Sequence, residues 1–294
     1  MLDPNRIREN PDEVRASLAK RGMKESLADD FLATDEKWRM LQQSIGETRA
    51  ELNRLSKERK VEQAKTVKLK IKELESALAS VEPERDTLLT QFPNLLSSDV
   101  PVGKDDSANV VLKTIGDARA STGKDYLTLA QELDLIDIER AGKVSGSRFG
   151  YLKREAVLLE FALIKLAMDV LTKEGFIPVI PPVLIKPEML MGMGKAKFIA
   201  DGDAFHLPED KLYLVGSSEH SIGPMHAGEI FDEKNLPRRY VGFSTCFRRE
   251  AGSYGKQEKG LYRVHEFYKL EQVVLCEAAH ETSVRFHEEL TKNA

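Results

Sequence analysis

Residues 240–272 read YVGFSTCFRREAGSYGKQEKGLYRVHEFYKLEQ, and the stretch reads as a strand, a glycine-rich loop and a second strand. Side chains along a strand alternate between its two faces. With strands over Tyr240–Glu250 and Arg263–Val274, Arg248 and Glu250 share a face of the first. Arg263, His265, Phe267, Lys269 and Glu271 share a face of the second, with Val264, Tyr268 and Leu270 opposite and Glu266 out of pattern. One side of the hairpin is thus a row of arginines and carboxylates around one aromatic ring, and the other side is mostly core. A solvated antiparallel face is ordinarily polar, yet it has no need of arginines around a phenylalanine. A guanidinium grips phosphate through two hydrogen bonds and also stacks on rings. A phenylalanine on an ionic face has little to bury against unless a flat ligand covers it. The pattern points to an anionic, aromatic ligand such as a nucleotide. The linking loop adds Gly252, Gly255 and Gly260, which allow close backbone approach, and Lys256 and Lys259, which suit phosphates.

Working outward, Ala278–Leu290 reads as a helix and Leu212–Val215 as a short buried strand. Phe176–Ile185 is strand-like and β-branched, but its prolines confine it to a sheet edge or an interface. Tyr151–Lys173 is apolar almost all round, with Val157, Phe161, Ile164, Met168 and Leu171 at helical spacing, so it is expected to be buried on more than one side. Gly175 stops it. Met189, Met191 and Met193 sit among glycines in an expected loop and read as packing residues.

The N-terminal part has a different character. Asn10-Pro11-Asp12-Glu13 marks a helix start. From Asp29 to about Lys60, the residues Trp38, Leu41, Ile45, Thr48, Leu52 and Leu55 step by three and four. From about Ala64 to Leu89, the residues Val67, Ile71, Leu74, Leu78, Val81, Arg85 and Leu88 do the same. A single narrow stripe with charge elsewhere is a coiled-coil seam. Only a few residues separate the two runs, so they fold back as an antiparallel hairpin over about 29–90, each arm roughly 40 Å long. The tip is basic: Lys57, Arg59, Lys60, Lys65, Lys68, Lys70 and Lys72 outnumber Glu58 and Glu62. Such a patch is either a solvated surface or one that tracks phosphates. Pro101, Gly103, Gly116 and Gly123 mark a connector. The expected domains are residues 1–110, carrying the hairpin, and residues 111–294, an α+β unit with antiparallel strands.

The 294 residues carry 44 Lys and Arg against 48 Asp and Glu, for a net charge of −4. That density of charge excludes a membrane protein, and its balance does not force disorder. The sign excludes a generally basic nucleic-acid coat but leaves room for a local basic patch. The two cysteines, Cys246 and Cys276, form no CxxC pair, which rules out a disulfide framework and suits a reducing compartment. Cys246 reads as a core residue, and His220 and His226 lack a third ligand, so no metal site is expected in the chain. The N-terminus lacks the apolar core of a signal peptide. Glu160, Lys165 and Asp169 interrupt the most apolar stretch, so no run spans a bilayer. The expectation is a soluble, cytoplasmic protein with no membrane partner.

FRREAGSYGKQEKGLYRVHEFYKLE, residues 247–271, resembles the second signature motif of class II aminoacyl-tRNA synthetases. More narrowly it is similar to the version in the seryl-tRNA synthetase family, approximately FRxEAGxxGxxxxGLxRVHQFxKxE. IRENPDEVRASLAKRG at 7–22, the helical hairpin, FPNLLSSDVPVGKDDSANV at 92–110, and the strand ending Pro181-Pro182, which resembles the first class II motif, agree in order. The resemblance spans essentially the whole chain. It implies an N-terminal antiparallel coiled-coil hairpin that binds tRNA, followed by a class II synthetase core with an antiparallel β-sheet.

The resemblance further implies an ATP-dependent serine–tRNA ligase. Arg248 would hold the α-phosphate and the amino acid carboxylate, with Arg249 beside it on the ATP. Glu250 would accept from the adenine amino group, Phe267 would stack on adenine, Arg263 would reach the distal phosphates and Val264 would lie beside the nucleotide. Ser217, Ser218, Glu219, Arg248 and Glu271 would face serine. The hairpin residues Lys57, Arg59, Lys60, Lys65, Lys68 and Lys72 would contact tRNA(Ser), and tRNA(Sec) would be a further substrate. The apolar helix and the proline-bearing strand would form a homodimer interface. Here Gly216-Ser217-Ser218 stands for the usual Pro-Thr-Ala, and Glu266 for the usual glutamine. The third class II motif is not found, and the ligands of the expected Mg²⁺ would lie beyond residue 294. The expectation from this is a C-terminally truncated core, inactive alone; the alternative is a synthetase-derived tRNA-binding protein without catalysis.

Overall fold

The structure is a computed structural model, and it describes residues 2–103, 105–117, 123–251 and 260–294. The chain divides into two compact units, Met1–Ala118 and Arg119–Ala294.

The first unit opens with α1 (Pro4–Glu9) and α2 (Pro11–Lys20). Each has proline in its first turn, where its missing N–H costs nothing. Two long helices follow, α3 (Ser26–Lys57) and α4 (Val61–Thr90). At 32 and 30 residues they are about 48 and 45 Å long. They pack on each other as the expected hairpin, with Ile45, Thr48 and Leu55 of α3 and Ile71 of α4 buried along the seam. At the base, Ile7, Val14, Leu18, Leu27, Ala28, Phe31, Leu89 and Phe92 form one apolar core.

Arg85 occupies a seam position of α4, where an apolar residue would ordinarily stand. The fold supplies its partner. Asp35 on α3 is fully buried, and its carboxylate accepts from Arg85 Nε at 2.8 Å, Arg8 Nε at 2.7 Å and Arg39 Nε at 3.1 Å. The Arg85 guanidinium also lies over Trp38, 4.5 Å from the ring. Burial pushes the Asp35 carboxyl up, but the hydrogen bonds from Arg8, Arg85 and Arg39 outweigh it and hold the group at about 2.

The second unit contains α5 (Tyr126–Glu132), β1 (Ile136–Asp137), α6 (Ile138–Ser145), β2 (Tyr151–Leu152) and α7 (Glu155–Lys173). It continues with β3 (Ile177–Val179), β4 (Leu184–Ile185), α8 (Pro187–Gly192), α9 (Ala196–Ala200), β5 (His206–Leu207) and β6 (Leu212–Leu214). It closes with α10 (Glu219–Ile222), β7 (Arg238–Phe247), β8 (Glu266–Leu275) and α11 (His280–Asn293). The central sheet runs β3-β7-β8, and a smaller one runs β4-β6-β5. β7 and β8 pair antiparallel over their full length, from Arg238 opposite Leu275 to Phe247 opposite Glu266. The fold is α+β with an antiparallel centre. β3 is an exception, since it pairs parallel with β7. It lies on the sheet edge, as Pro178 requires.

Three expectations are corrected. The strands end earlier than the alternation implied: Arg248 and Glu250 lie beyond β7, and Arg263 and His265 lie before β8. Arg248 N still donates across to His265 O at 2.9 Å, and past that bond other groups take the backbone's hydrogen bonds. Arg249 N donates to Asp203 O at 2.9 Å, Ala251 N donates to Asp203 Oδ1 at 2.7 Å, and Glu250 sits at φ +52°. Second, α7 is not buried on several sides within the chain. Only Leu171 is buried, against Phe176 and Val241, while Leu158, Phe161 and Leu166 are each more than 60% exposed. An all-round apolar helix satisfies its pattern only when something covers its outer face. Third, Met189 and Met191 belong to α8 rather than to a loop. No helix among the described residues is long and apolar enough to cross a membrane.

Candidate active site

The site is built where β7 and β8 present one face to α10. On β8 that face carries Phe267, Lys269 and Glu271, and their partners across the ladder are Cys246, Ser244 and Gly242. The three small β7 residues form a buried floor, and Cys246 is one of its core members. Gly242 is required there: a Cβ at this position would come within 2.3 Å of Ile222 Cδ1 and 2.8 Å of Ser218 Cβ. Its absence lets α10 settle on the sheet. Ser218 is fully buried and shares a 2.8 Å hydrogen bond with Ser244, which fixes the start of α10.

Above this floor the carboxylate of Glu271 is the organising group. Oε2 accepts from the Ser217 hydroxyl and, at 2.8 Å, from the backbone N–H of Glu219. Oε1 accepts from Lys269 Nζ at 3.0 Å, and Lys269 also donates to Ser217 Oγ at 3.2 Å. Burial raises the Glu271 carboxyl, but the bonds from Ser217, Glu219 N–H and Lys269 outweigh it and hold it below the usual carboxylate range. Glu219 pairs with Lys195 at 2.5 Å. His220, buried beside them, accepts from Gly216 N–H at 3.2 Å. Burial, reinforced by the Lys195 charge, brings its imidazole down to about 4, so it stands neutral at pH 7.

At the end of β7 the Arg248 guanidinium lies over Phe267, 5.3 Å from the ring centroid, and its Nε donates to Gly216 O at 3.2 Å. Arg263 Nη1 meets Glu250 Oε2 at 3.0 Å, so the cation and carboxylate expected on neighbouring strands meet from two loop ends instead. His265 Nδ1 lies 2.9 Å from Arg248 O and helps close that junction. Arg249 turns elsewhere: its Nε donates to Ala204 O at 3.3 Å, and its guanidinium covers Phe205 at 4.4 Å. Val264 lines a cavity of about 410 Å³ with Phe149, Leu261 and Phe267. Ser217, Glu219, Arg248, Phe267 and Glu271 are therefore brought together, with Arg263 and Glu250 paired at the rim. The glycines and lysines at 252, 255, 256 and 259 lie outside the described residues.

Two groups in the site had no assigned role in the sequence reading. Lys195 stands between α8 and α9, where no periodic pattern singles it out. Lys269 was placed on the correct face but given no task. Among the described residues no group of three or more His, Cys, Asp or Glu side chains is placed to hold a metal ion.

In the first unit the tip lysines cluster as expected. Lys60 pairs with Glu58 at 2.7 Å and Lys65 with Glu62 at 2.8 Å. Arg59, Lys60, Lys65 and Lys68 rim a cavity of about 410 Å³ floored by Leu52, Leu55 and Val61. Lys57 and Lys72 stand exposed near it.

Residues 1–96 match the seryl-tRNA synthetase N-terminal domain, and residues 205–294 match the class II tRNA synthetase core domain of the G, H, P, S and T enzymes. A serine–tRNA ligase of Methanocella arvoryzae is 41% identical over all of this chain and 72% of its own length. The chain belongs to the seryl-tRNA synthetase family. A second such ligase, from Thermobifida fusca, is 40% identical over 97% of this chain and 70% of its own. Among solved structures, the seryl-tRNA synthetase of Pyrococcus horikoshii complexed with ATP superimposes with a TM-score of 0.87 at 35% identity. It covers 99% of this chain, and the match covers 73% of that one. The cytoplasmic serine–tRNA ligase of Naegleria fowleri in complex with AMP gives 0.85 at 28% identity, over 100% of this chain and 70% of that one. The synthetase core of this family member is the unit that carries Glu271 and Arg248.

Proposed function

We propose that the protein is a serine–tRNA ligase that activates serine with ATP and transfers it to tRNA(Ser). The observation that carries this reading is the joining of Ser217, Glu219 and Glu271 into one hydrogen-bonded group beside the Arg248–Phe267 pair. An anionic acceptor group suits the ammonium and hydroxyl of serine, and a guanidinium over a ring suits a nucleotide phosphate and base.

In this reading a serine carboxylate oxygen attacks the α-phosphorus of ATP, the bond to the bridging oxygen breaks, and pyrophosphate leaves. The product is seryl-adenylate. No group needs to remove a proton, because the nucleophile is already an anion. Arg248 offsets the charge that develops on phosphorus. A terminal ribose hydroxyl of the tRNA then attacks the seryl carbonyl, its proton passes to a phosphate oxygen of the adenylate, and the bond from the acyl carbon to the phosphate oxygen breaks to release AMP. Phe267 stacks on adenine, Glu250 accepts from its amino group, and Arg263 reaches the distal phosphates after exchanging Glu250 for them. Glu271 accepts from the serine hydroxyl, and Glu219 faces the ammonium. ATP is the substrate, and the family resemblance extends this to Mg²⁺ and to tRNA(Sec).

The hairpin tip contacts the tRNA backbone through Lys57, Arg59, Lys60, Lys65, Lys68 and Lys72, because phosphate contacts are mostly electrostatic. The exposed apolar face of α7 supports a homodimer, and the cysteine usage supports a cytoplasmic protein. The test is binding of a non-hydrolysable seryl-adenylate analogue by calorimetry. The alanyl analogue, which lacks the hydroxyl, should bind at least about tenfold more weakly. Equal binding of the two would reject serine as the substrate.

A further inference from the structure

Glu271 uses three of its roughly four acceptor positions on groups of the protein itself, and one of these groups is a cation. Lys269 stands two residues away on the same face of β8 and touches both Glu271 and Ser217. The three side chains form a closed ring. The single Ser217 proton is committed to Glu271, while the Ser217 oxygen faces the Lys269 ammonium. The ring is largely withdrawn from water: Ser217 is 4% exposed, and the side chains of Glu271 and Lys269 are 14% and 34% exposed. A surface pair of this kind would contribute little, but a desolvated carboxylate needs a partner to remain ionised.

We infer that Lys269 is a positioning residue for the specificity carboxylate, fixing the direction of Glu271 and keeping it a pure acceptor, so that the pocket reads a hydroxyl donor on its substrate. An ionised carboxylate can only accept, whereas a protonated one also donates: with the proton on Oε1, Oε2 still accepts from Ser217 and the Glu219 N–H, but the Oε1 side turns from acceptor to donor. Lys269 can do this reliably because strand pairing with Ser244 fixes its backbone, and the two-residue spacing puts both side chains on one face. Other groups face Glu271 from neighbouring elements. Glu219 and His220 lie on α10, Lys195 lies between α8 and α9, Arg248 follows β7, and the Cys246 thiol lies in the floor. Lys195 is paired with Glu219, Arg248 is committed to Gly216 O and the Phe267 face, and His220 is neutral. That leaves Lys269 as the cation in direct contact with the carboxylate.

The consequence for substrate choice rests on the serine reading above, while the effect on Glu271 rests on geometry alone. The experiment separates the two. In the full chain the Glu271 carboxyl is titrated by carbon-13 NMR in the wild type, Lys269→Met and Lys269→Arg. Expected is a rise of more than about one pH unit in Lys269→Met, largely reversed in Lys269→Arg. In parallel, serine binding in the presence of ATP is measured at pH 5.5 and pH 8. The wild type and Lys269→Arg should show a flat profile, and Lys269→Met should lose more affinity at the lower pH than at the higher. A purely structural role would lower affinity equally at both. If Lys269→Met does not fold, Lys269→Gln carries the same neutral test. A Glu271 titration that does not move in the neutral variant overturns the inference, whether or not serine binds. Absence of serine binding in the wild type would overturn the serine reading, and the NMR titration would still decide the role of Lys269.

Discussion

Arg248 lies over the ring of Phe267, its guanidinium carbon 5.3 Å from the ring centroid. This contact ties the proposed adenine platform to the proposed phosphate grip before any ligand arrives. Stacking of a base on an aromatic side chain is worth about 1–3 kcal/mol. Phe267→Leu, which keeps the bulk but removes the ring, should weaken ATP binding by about tenfold, whereas Phe267→Tyr should keep it. Calorimetry checks this, and equal affinities for the wild type and the leucine variant would refute the stacking role.

Asp35 makes the first unit sensitive to acid. Its folded value of about 2 lies below the ordinary value of 3.8, so the folded state holds the charged form more tightly than the unfolded chain does. The resulting stability, about 2 kcal/mol, is fully present above pH 4 and is lost as pH falls through about 2. Asp35→Asn should lose it at all pH values and leave three arginines short of an acceptor, costing about 3 kcal/mol at pH 7. The single tryptophan, Trp38, lies against Arg85 and reports this unit's unfolding by fluorescence. Identical urea midpoints for the variant and the wild type at pH 7 would show the cluster to be dispensable.

At the hairpin tip, Arg59→Ala and Lys68→Ala should each weaken binding of a tRNA with a long variable arm. If each contacts one phosphate, the slope of log K against log salt should fall by about one per substitution. The loss should be similar for arms of different sequence, since phosphate contacts carry no base information. Filter binding across a salt series measures both, and an unchanged slope would place the tRNA contact elsewhere.

The outer face of α7 predicts assembly. Phe161→Glu with Leu166→Glu should convert a species of twice the chain mass into one of the chain mass in sedimentation velocity. A wild type that sediments at the chain mass at all concentrations would contradict the homodimer.

Much of the hairpin was legible in the sequence, because a seam repeating every three and four residues has one structural solution. Arg85 stood in that seam as an anomaly, and only the fold brings Asp35 to it from 50 residues away. Near the site, alternation identified Phe267, Lys269 and Glu271 as neighbours, since a strand fixes that relation locally. The same rule carried the strands too far at Arg248, Glu250 and Arg263. After Arg248 the backbone leaves the ladder to meet Asp203 at Arg249 and Ala251, and on the other strand His265 N turns to Arg148 O, contacts that no local pattern contains. The apolarity of α7 was read correctly, but its burial was not. A pattern shows that a face needs a cover and does not show whose. Lys195 was invisible for a similar reason, being a loop residue whose meaning comes from Glu219.

The central claim, that Arg248, Phe267 and the Glu271 group form one site for ATP and serine, is tested most directly by calorimetric titration of ATP into the full chain. The titration is run alone, with serine and with free alanine, on the wild type and on Arg248→Ala. The reading predicts ATP binding that serine strengthens and alanine does not, reduced by about a hundredfold or more in the variant, as expected for loss of a bidentate charge-assisted contact. Absence of ATP binding in a folded wild type, or equal binding by wild type and variant, would contradict it.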